Sequence, residues 1–153
     1  MAESLVDALD PACVRLDVQA KKKPDIIREL VDVLAEAGKV QDAHEVTRLV
    51  LEREALTTTG IGSGIAIPHC LSASAESTSV VVGRKLSGAK FDAVDKRPVY
   101  LFFLMVGPPG AHNEHLRLLS RLARYLHDPG LKQALLDADS PQEIVDLFQK
   151  REQ

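Results

Sequence analysis

The sequence predicts an α/β domain layered around a mixed β-sheet. Three observations carry this. The elements read strand, two helices, several strands, then helices, an order that suits packed layers. The segment Arg97 to Val106 is almost continuously apolar, as expected of a central strand buried on both faces. No linker, repeat or low-complexity tract interrupts residues 1–153, so one domain is expected.

Each element has a local reason. Ser4 to Leu9 suits a short helix stopped by Asp10-Pro11. From Cys13 to Val18, Val14, Leu16 and Val18 alternate with Arg15 and Asp17, the period of a strand with one buried face. Pro24 sits where a first helical residue is tolerated. Ile26, Ile27, Leu30, Val31, Leu34 and Ala37 follow at helical spacing, with Gly38 as the cap beyond. A second helix spans about Asp42 to Leu56, with Val46, Leu49, Val50 and Ala55 apolar. A glycine loop, a strand from Ile65 to Ile67 and a polar loop from Leu71 to Ser77 come next. Ser79 to Leu86 and Arg97 to Val106 read as strands, the latter ended by Gly107-Pro108-Pro109-Gly110. A helix from His112 to Leu126 places Leu116, Leu119, Leu122, Ala123 and Leu126 on one face. A short helix spans Leu131 to Ala138. The last helix opens on the capping box Ser140-Pro141-Gln142-Glu143 and presents Ile144, Val145 and Phe148.

Bulk properties narrow the function. The hydrophobic share is 45% and the charged share 27%, ordinary for a globular protein with its own core. The net charge is −3 with no long basic run, which argues against nucleic acid as partner. Lys21-Lys22-Lys23 reads as a solvated turn before a helix. No apolar run reaches membrane-spanning length, so no direct insertion into a membrane is expected. Met1-Ala2-Glu3-Ser4 lacks the order of a secretory signal. Cys13 and Cys70 form no motif and read as free thiols of a cytoplasmic protein. Tryptophan is absent and aromatics are few, so no stacking platform for bases or sugar rings is evident.

The segment from Thr59 to His69 carries the chemistry. Gly60, Gly62 and Gly64 recur at every second position, then Ile65-Ala66-Ile67 leads through Pro68 to His69. Glycine lets backbone approach a ligand, and proline ends ladder bonding. His69 is therefore expected at the lip of the sheet, as a nucleophile, a proton carrier or a strand-end residue satisfied by backbone. His44 and His127 lie on polar helical stretches and read as surface residues. His112 and His115 share a helix face at i, i+3; His112 reads as solvent-facing. His115 adjoins the apolar stripe, and the topology can bring it near His69.

A histidine pair beside glycines suits transient phosphoryl binding. A neutral imidazole, with an unperturbed pKa near 6.5, attacks phosphorus without an auxiliary base. Positioning and charge neutralisation do the rest. Backbone N–H groups of Gly60 to Gly64, the Thr59 and Ser63 hydroxyls and the Arg53 guanidinium could supply both. For Arg53 the alternative is a surface ion pair with Glu52 or Glu54. The glycines form neither a P-loop nor a dinucleotide fingerprint, since no Gly-Lys-Ser/Thr follows and they precede a strand.

Leu51-Glu52-Arg53-Glu54, the Thr59–His69 segment, and Glu114-His115-Leu116 with its leucine-rich helix resemble the fructose/mannitol-type enzyme IIA domain. That family belongs to the bacterial phosphoenolpyruvate-dependent phosphotransferase system and includes nitrogen-regulatory IIA proteins. The likeness covers essentially the whole chain; its specific part is the Thr59–His69 segment. The resemblance implies a three-layer αβα fold with a central mixed β-sheet. It implies that His69 is phosphorylated on Nε2, that His115 stabilises the phosphate and that Arg53 is nearby. Thr59, Gly62, Ser63 and Gly64 complete the expected phosphate-binding set. No cofactor or metal is implied. The implied donor is an HPr-type phosphocarrier, and the acceptor a IIB domain or a regulated transporter or kinase. Cys70 departs from the family's usual glycine or other small residue.

Three functions from different classes follow. The first is a phosphocarrier, in which a chain of this length without fused IIB or IIC segments leans toward nitrogen regulation, with sugar transfer as the other branch. The second is a regulatory binding module that is never phosphorylated. The third is a metal site of His69, Cys70, His112 and His115, whose residue types suit zinc. Neighbouring strand residues point apart, which counts against it.

Overall fold

A computed structural model describes residues 4–153; the reading of Met1 to Glu3 falls outside the described residues. The centre is β6 (Val99–Gly107), built from the apolar run. It pairs antiparallel with β5 (Ser79–Ala89) on one side. On the other side it pairs in parallel with β3 (Ile65–Ala66) and then β4 (His69–Leu71). β1 (Leu9–Arg15) lies parallel to β5, and β2 (Gly60–Gly62) antiparallel to β3. The order β1-β5-β6-β3-β2, with β4 also on β6, is a mixed sheet.

Alternation along β6 divides the core. Phe102, Leu104 and Val106 pack with α2 (Lys23–Glu36) and α3 (Ala43–Leu56). Leu101, Phe103 and Met105 pack with α1 (Leu5–Ala8), α4 (His112–Tyr125), α5 (Pro129–Asp137) and α6 (Pro141–Arg151). The result is three layers, αβα. Both faces of β6 are dry: Phe102, Phe103, Leu104 and Met105 are each 0% exposed. Each such side chain contributes about 2 kcal/mol of transfer free energy. α2 ends as its sequence predicts. Gly38 takes φ +74°, and the amides of Gly38 and Lys39 donate to the Ala35 and Leu34 carbonyls, a Schellman closure.

Some boundaries shift. β1 starts at Leu9, directly after α1, and runs through Asp10-Pro11 to end at Arg15. Proline is tolerated because β1 is an edge strand whose register shifts between Leu9 and Val14. α5 starts at Pro129, with Asp128 as its cap accepting from the Gly130 amide. In α4 the buried stripe is His115, Leu118, Leu119 and Leu122, while Leu116 is 51% exposed. The stripe is offset because His115 and Leu118, one turn apart, turn inward together. Among the described residues no helix is long and apolar enough to cross a membrane.

Candidate functional site

His69 opens β4. Pairing does not end at Pro68: its carbonyl accepts from the Met105 amide at 3.0 Å, and His69 sits in register with Met105. Proline lacks a donor, but the β6 edge asks it only for an acceptor. Upstream, the Ile67 amide donates to the Thr59 carbonyl at 3.0 Å. The Ile67 carbonyl in turn lies 2.8 Å from His69 Nδ1. A carbonyl only accepts, so Nδ1 carries the proton and the neutral ring keeps its lone pair on Nε2.

His115 stands in the first turn of α4, after a single 3₁₀ turn at Pro109–Ala111. It is 3% exposed, and its ring centroid lies 5.5 Å from that of His69 at an interplanar angle of 56°. Gly107 permits this approach. A Cβ there would lie 3.4 Å from His115 Nδ1 and 2.8 Å from Thr78 Oγ1, so any side chain would displace one of them. In the sequence Gly107 signals only a strand end, and Thr78 carries no signal at all.

Arg53, in the last turn of α3, donates from Nη1 to the Thr57 carbonyl at 3.1 Å. Its neighbouring carboxylates are engaged elsewhere: Glu52 with Arg48 at 2.7 Å, Glu54 with Lys23 at 2.8 Å. Among the described residues Arg53 has no carboxylate partner, so its charge faces a cavity of about 720 Å³ that it lines with His69, His112 and His115. Exposed Leu56 of α3 and Leu116 of α4, 82% and 51% accessible, line the same cavity. Buried Glu54 accepts from both the amide and the hydroxyl of Thr59, which ties the start of the glycine segment to α3.

Burial, reinforced by the Arg53 charge, holds His69 below the ordinary imidazole pKa; the Ile67 bond and Glu54 oppose it. His115 is pushed down to about 4 by burial first, then by His69 and His112. Both rings are neutral near neutral pH. The linkage has a definite sign. The unfolded chain takes up a proton on His115 near pH 6.5, whereas the folded chain resists until about pH 4. Its stabilising contribution is therefore complete above the unfolded value and lost as pH falls through that window. Urea midpoints are expected to fall across the window, and to fall less in His115→Asn. Equal pH slopes in the two proteins would contradict this.

The structure corrects the expected glycine cradle. Ser63 and Gly64 take φ +56° and +81° and form the turn of the β2–β3 hairpin. The Ser63 amide donates to Asp95, its carbonyl accepts from Lys132, and the Gly64 carbonyl accepts from Tyr100 and Leu101. Gly62 adjoins Asp95, which lies 3.3 Å from where its Cβ would stand. His69 sits opposite Met105, four residues further along β6 from Leu101, about 13 Å at strand rise. Gly62, Ser63 and Gly64 therefore do not line the histidine cavity. Thr59 is close by sequence and bonding, but both its donors are bound to Glu54.

Cys70 is a free thiol, as its sequence reads, and it is buried. It pairs with Val106 and packs into the α2–α3 core, the face opposite Met105 and His69. Burial pushes its thiol up to about 12. Cys70 borders the same cavity as His69, His112 and His115, but among the described residues no three His, Cys, Asp or Glu side chains are placed to hold a metal, so the four-residue site is not formed. Exposed His112 lines the cavity, while His44 and His127 are exposed elsewhere.

Residues 7–151 match the family model for the phosphoenolpyruvate-dependent sugar phosphotransferase system, EIIA 2. The fructose-specific EIIABC component of Bacillus subtilis is 34% identical over 97% of this chain, which spans only 23% of that protein. A nitrogen regulatory protein of Bradyrhizobium diazoefficiens is 31% identical over 94% of each chain. The crystal structure of nitrogen regulatory protein IIA-Ntr from Neisseria meningitidis superposes with a TM-score of 0.88 at 28% identity. That match covers 94% of this chain and 98% of the other.

Proposed function

The chain belongs to the type 2 enzyme IIA family of the phosphoenolpyruvate-dependent sugar phosphotransferase system, and on that premise we propose that His69 is its phosphoryl acceptor. Enzyme IIA components are phosphotransferases that work through a phosphohistidine. The observation that carries the assignment is the bond from His69 Nδ1 to the Ile67 carbonyl, which leaves the Nε2 lone pair free.

In this reading Nε2 attacks the phosphorus of a phosphohistidine on an HPr-type carrier. The new N–P bond forms as the donor's N–P bond breaks, and that electron pair returns to the donor imidazole. Nδ1–H keeps its bond to Ile67, which holds the ring while it carries charge. Arg53 and an N–H of His115 neutralise the phosphoryl oxygens. The apolar rim of Leu56 and Leu116 suits docking of a protein donor. Onward transfer to a IIB domain reverses the same step. One sheet serves both core layers, which supports the reading of residues 1–153 as one domain, and we place it in the cytoplasm with its donor.

Nitrogen regulatory proteins match along nearly their whole length, and so do stand-alone fructose-type EIIA components, so length does not separate the branches; we keep the nitrogen-regulatory one as the first reading. There the phosphorylation state governs binding to a target such as a transporter or kinase. The fructose-specific relative supports the sugar branch as the second reading. The test is reconstitution with phosphoenolpyruvate, enzyme I and each candidate phosphocarrier, followed by intact mass and acid lability. No mass gain with any donor would leave a binding module that is never phosphorylated. Labelled protein offered to sugar-specific IIB domains separates the branches.

His115→Ala is expected to leave His69 phosphorylated but to slow onward transfer about 100-fold, the size of one lost transition-state donor. Wild-type transfer rates in that variant would remove His115 from the mechanism.

A further inference from the structure

We propose that Thr78 is a positioning residue that sets the tautomer of His115, by a hydrogen bond from its Oγ1 to Nδ1 made across Gly107. This rests on the phosphoryl-acceptor reading of the site. Thr78 immediately precedes β5 and is 3% exposed. Its hydroxyl has no partner among the described residues, and neither does either ring nitrogen of His115. Native proteins pair nearly all such buried atoms, so unpaired ones gathered at one place ask for a function.

They are gathered by a glycine. The Thr78 hydroxyl and His115 Nδ1 both press on the point where a Cβ of Gly107 would stand, at 2.8 and 3.4 Å. Gly107 leaves the space between them open. A hydroxyl rotates freely, and it can donate or accept.

The chemistry fixes the direction. Phosphoryl oxygens only accept, so the imidazole nitrogen that meets them must carry hydrogen. His115 is neutral, with one N–H to place. Nδ1 faces Gly107, which leaves Nε2 for the phosphoryl group. The useful tautomer is then Nε2–H, and it requires Nδ1 to accept. Thr78 is the donor at that position. The arrangement complements His69, whose Nδ1–H is fixed by the Ile67 carbonyl so that Nε2 is the bare nitrogen. One ring is set to attack and the other to donate, each by a group on its Nδ1.

The test compares wild type with Thr78→Val, which keeps the shape, and Thr78→Ser, which keeps the hydroxyl. Long-range ¹H–¹⁵N spectra of the labelled, unphosphorylated proteins read the His115 tautomer directly. Wild type and Thr78→Ser are expected to hold Nε2–H, and Thr78→Val to populate both forms. Phosphoryl transfer in Thr78→Val is expected to lose about 10-fold in kcat, the size of one hydrogen bond, at unchanged KM for the donor, with recovery in Thr78→Ser. An Nδ1–H tautomer in wild type overturns the proposal even if Thr78→Val fails to fold. So do unchanged tautomers and unchanged kcat in Thr78→Val. Failure of wild type to accept phosphate from any donor refutes the acceptor reading instead, and leaves the spectra to judge Thr78 separately.

Discussion

Replacing His69 with alanine is expected to abolish phosphorylation outright. Incubated with phosphoenolpyruvate, enzyme I and the matching phosphocarrier, the variant should show no gain in intact mass while wild type gains one phosphoryl group. The expectation is total because no other imidazole can take the role. His115 is 3% exposed and both its ring nitrogens are buried, so it offers no nucleophile to a donor's phosphohistidine. His112 is exposed on the cavity wall, but it has no counterpart of the Ile67 bond that presents one nitrogen in a fixed direction. His112→Ala should accordingly label as wild type does. The loss in His69→Ala should not come from unfolding. The pairing of residue 69 with Met105 uses backbone alone. Only the side chain's bond to Ile67 is lost, about 1 kcal/mol. Acid-labile phosphate that persists in His69→Ala would refute the assignment, and phosphate that moves to His112 would redirect it.

The parts of this molecule that follow from short-range pattern were legible in the sequence. The run from Val99 to Val106, bounded by turn residues and short for a helix, reads as a strand covered on both faces, and α2 announces its end with Gly38. His69 was legible as the residue that the Ile65-Ala66-Ile67 strand presents, but not as one inside the ladder: Pro68 reads as an end of pairing, whereas its carbonyl accepts from Met105 and β4 continues along β6. What escaped depends on register. Gly62, Ser63 and Gly64 stand only five to seven residues from His69, yet the chain between them runs straight along β6 and carries them away. Nothing local distinguishes a glycine turn that closes a hairpin from one that cradles an anion, since both need φ > 0. Thr78 and Gly107 escaped for the opposite reason. Thr78 is remote in sequence from His115, both residues are ordinary in type, and only the packing of α4 against the end of β6 brings them to His115. The match of residues 7–151 to the enzyme IIA family supports the resemblance that the Thr59–His69 segment carries.

The largest expected effect on stability lies one residue from Arg53. Glu54 is a carboxylate with 3% side-chain exposure that accepts from Lys23 at 2.8 Å, from the Thr59 amide at 2.8 Å and from the Thr59 hydroxyl. Glu54→Ala leaves the Lys23 ammonium with only the face of Phe91, 4.7 Å below it, and leaves two buried Thr59 donors unpaired. Breaking such a pair from one side costs about 3 kcal/mol here, at the low end because Lys23 keeps some access to water. Urea denaturation reads this directly, and a change below about 0.5 kcal/mol, the size of an ordinary surface substitution, would show that the network is not structural. Adding Lys23→Met should recover part of the loss, because the stranded charge goes with it. The effect should also reach phosphoryl transfer. Glu54 holds Thr59, the Thr59 carbonyl holds the Ile67 amide, and the Ile67 carbonyl holds Nδ1 of His69. Glu54 also raises the pKa of His69, so its removal pushes the ring further toward the neutral, nucleophilic form. Electrostatics alone would then leave His69 no less reactive in Glu54→Ala. A slower enzyme whose pH profile moves to lower pH would locate the loss in geometry, in the chain of bonds that aims Nε2.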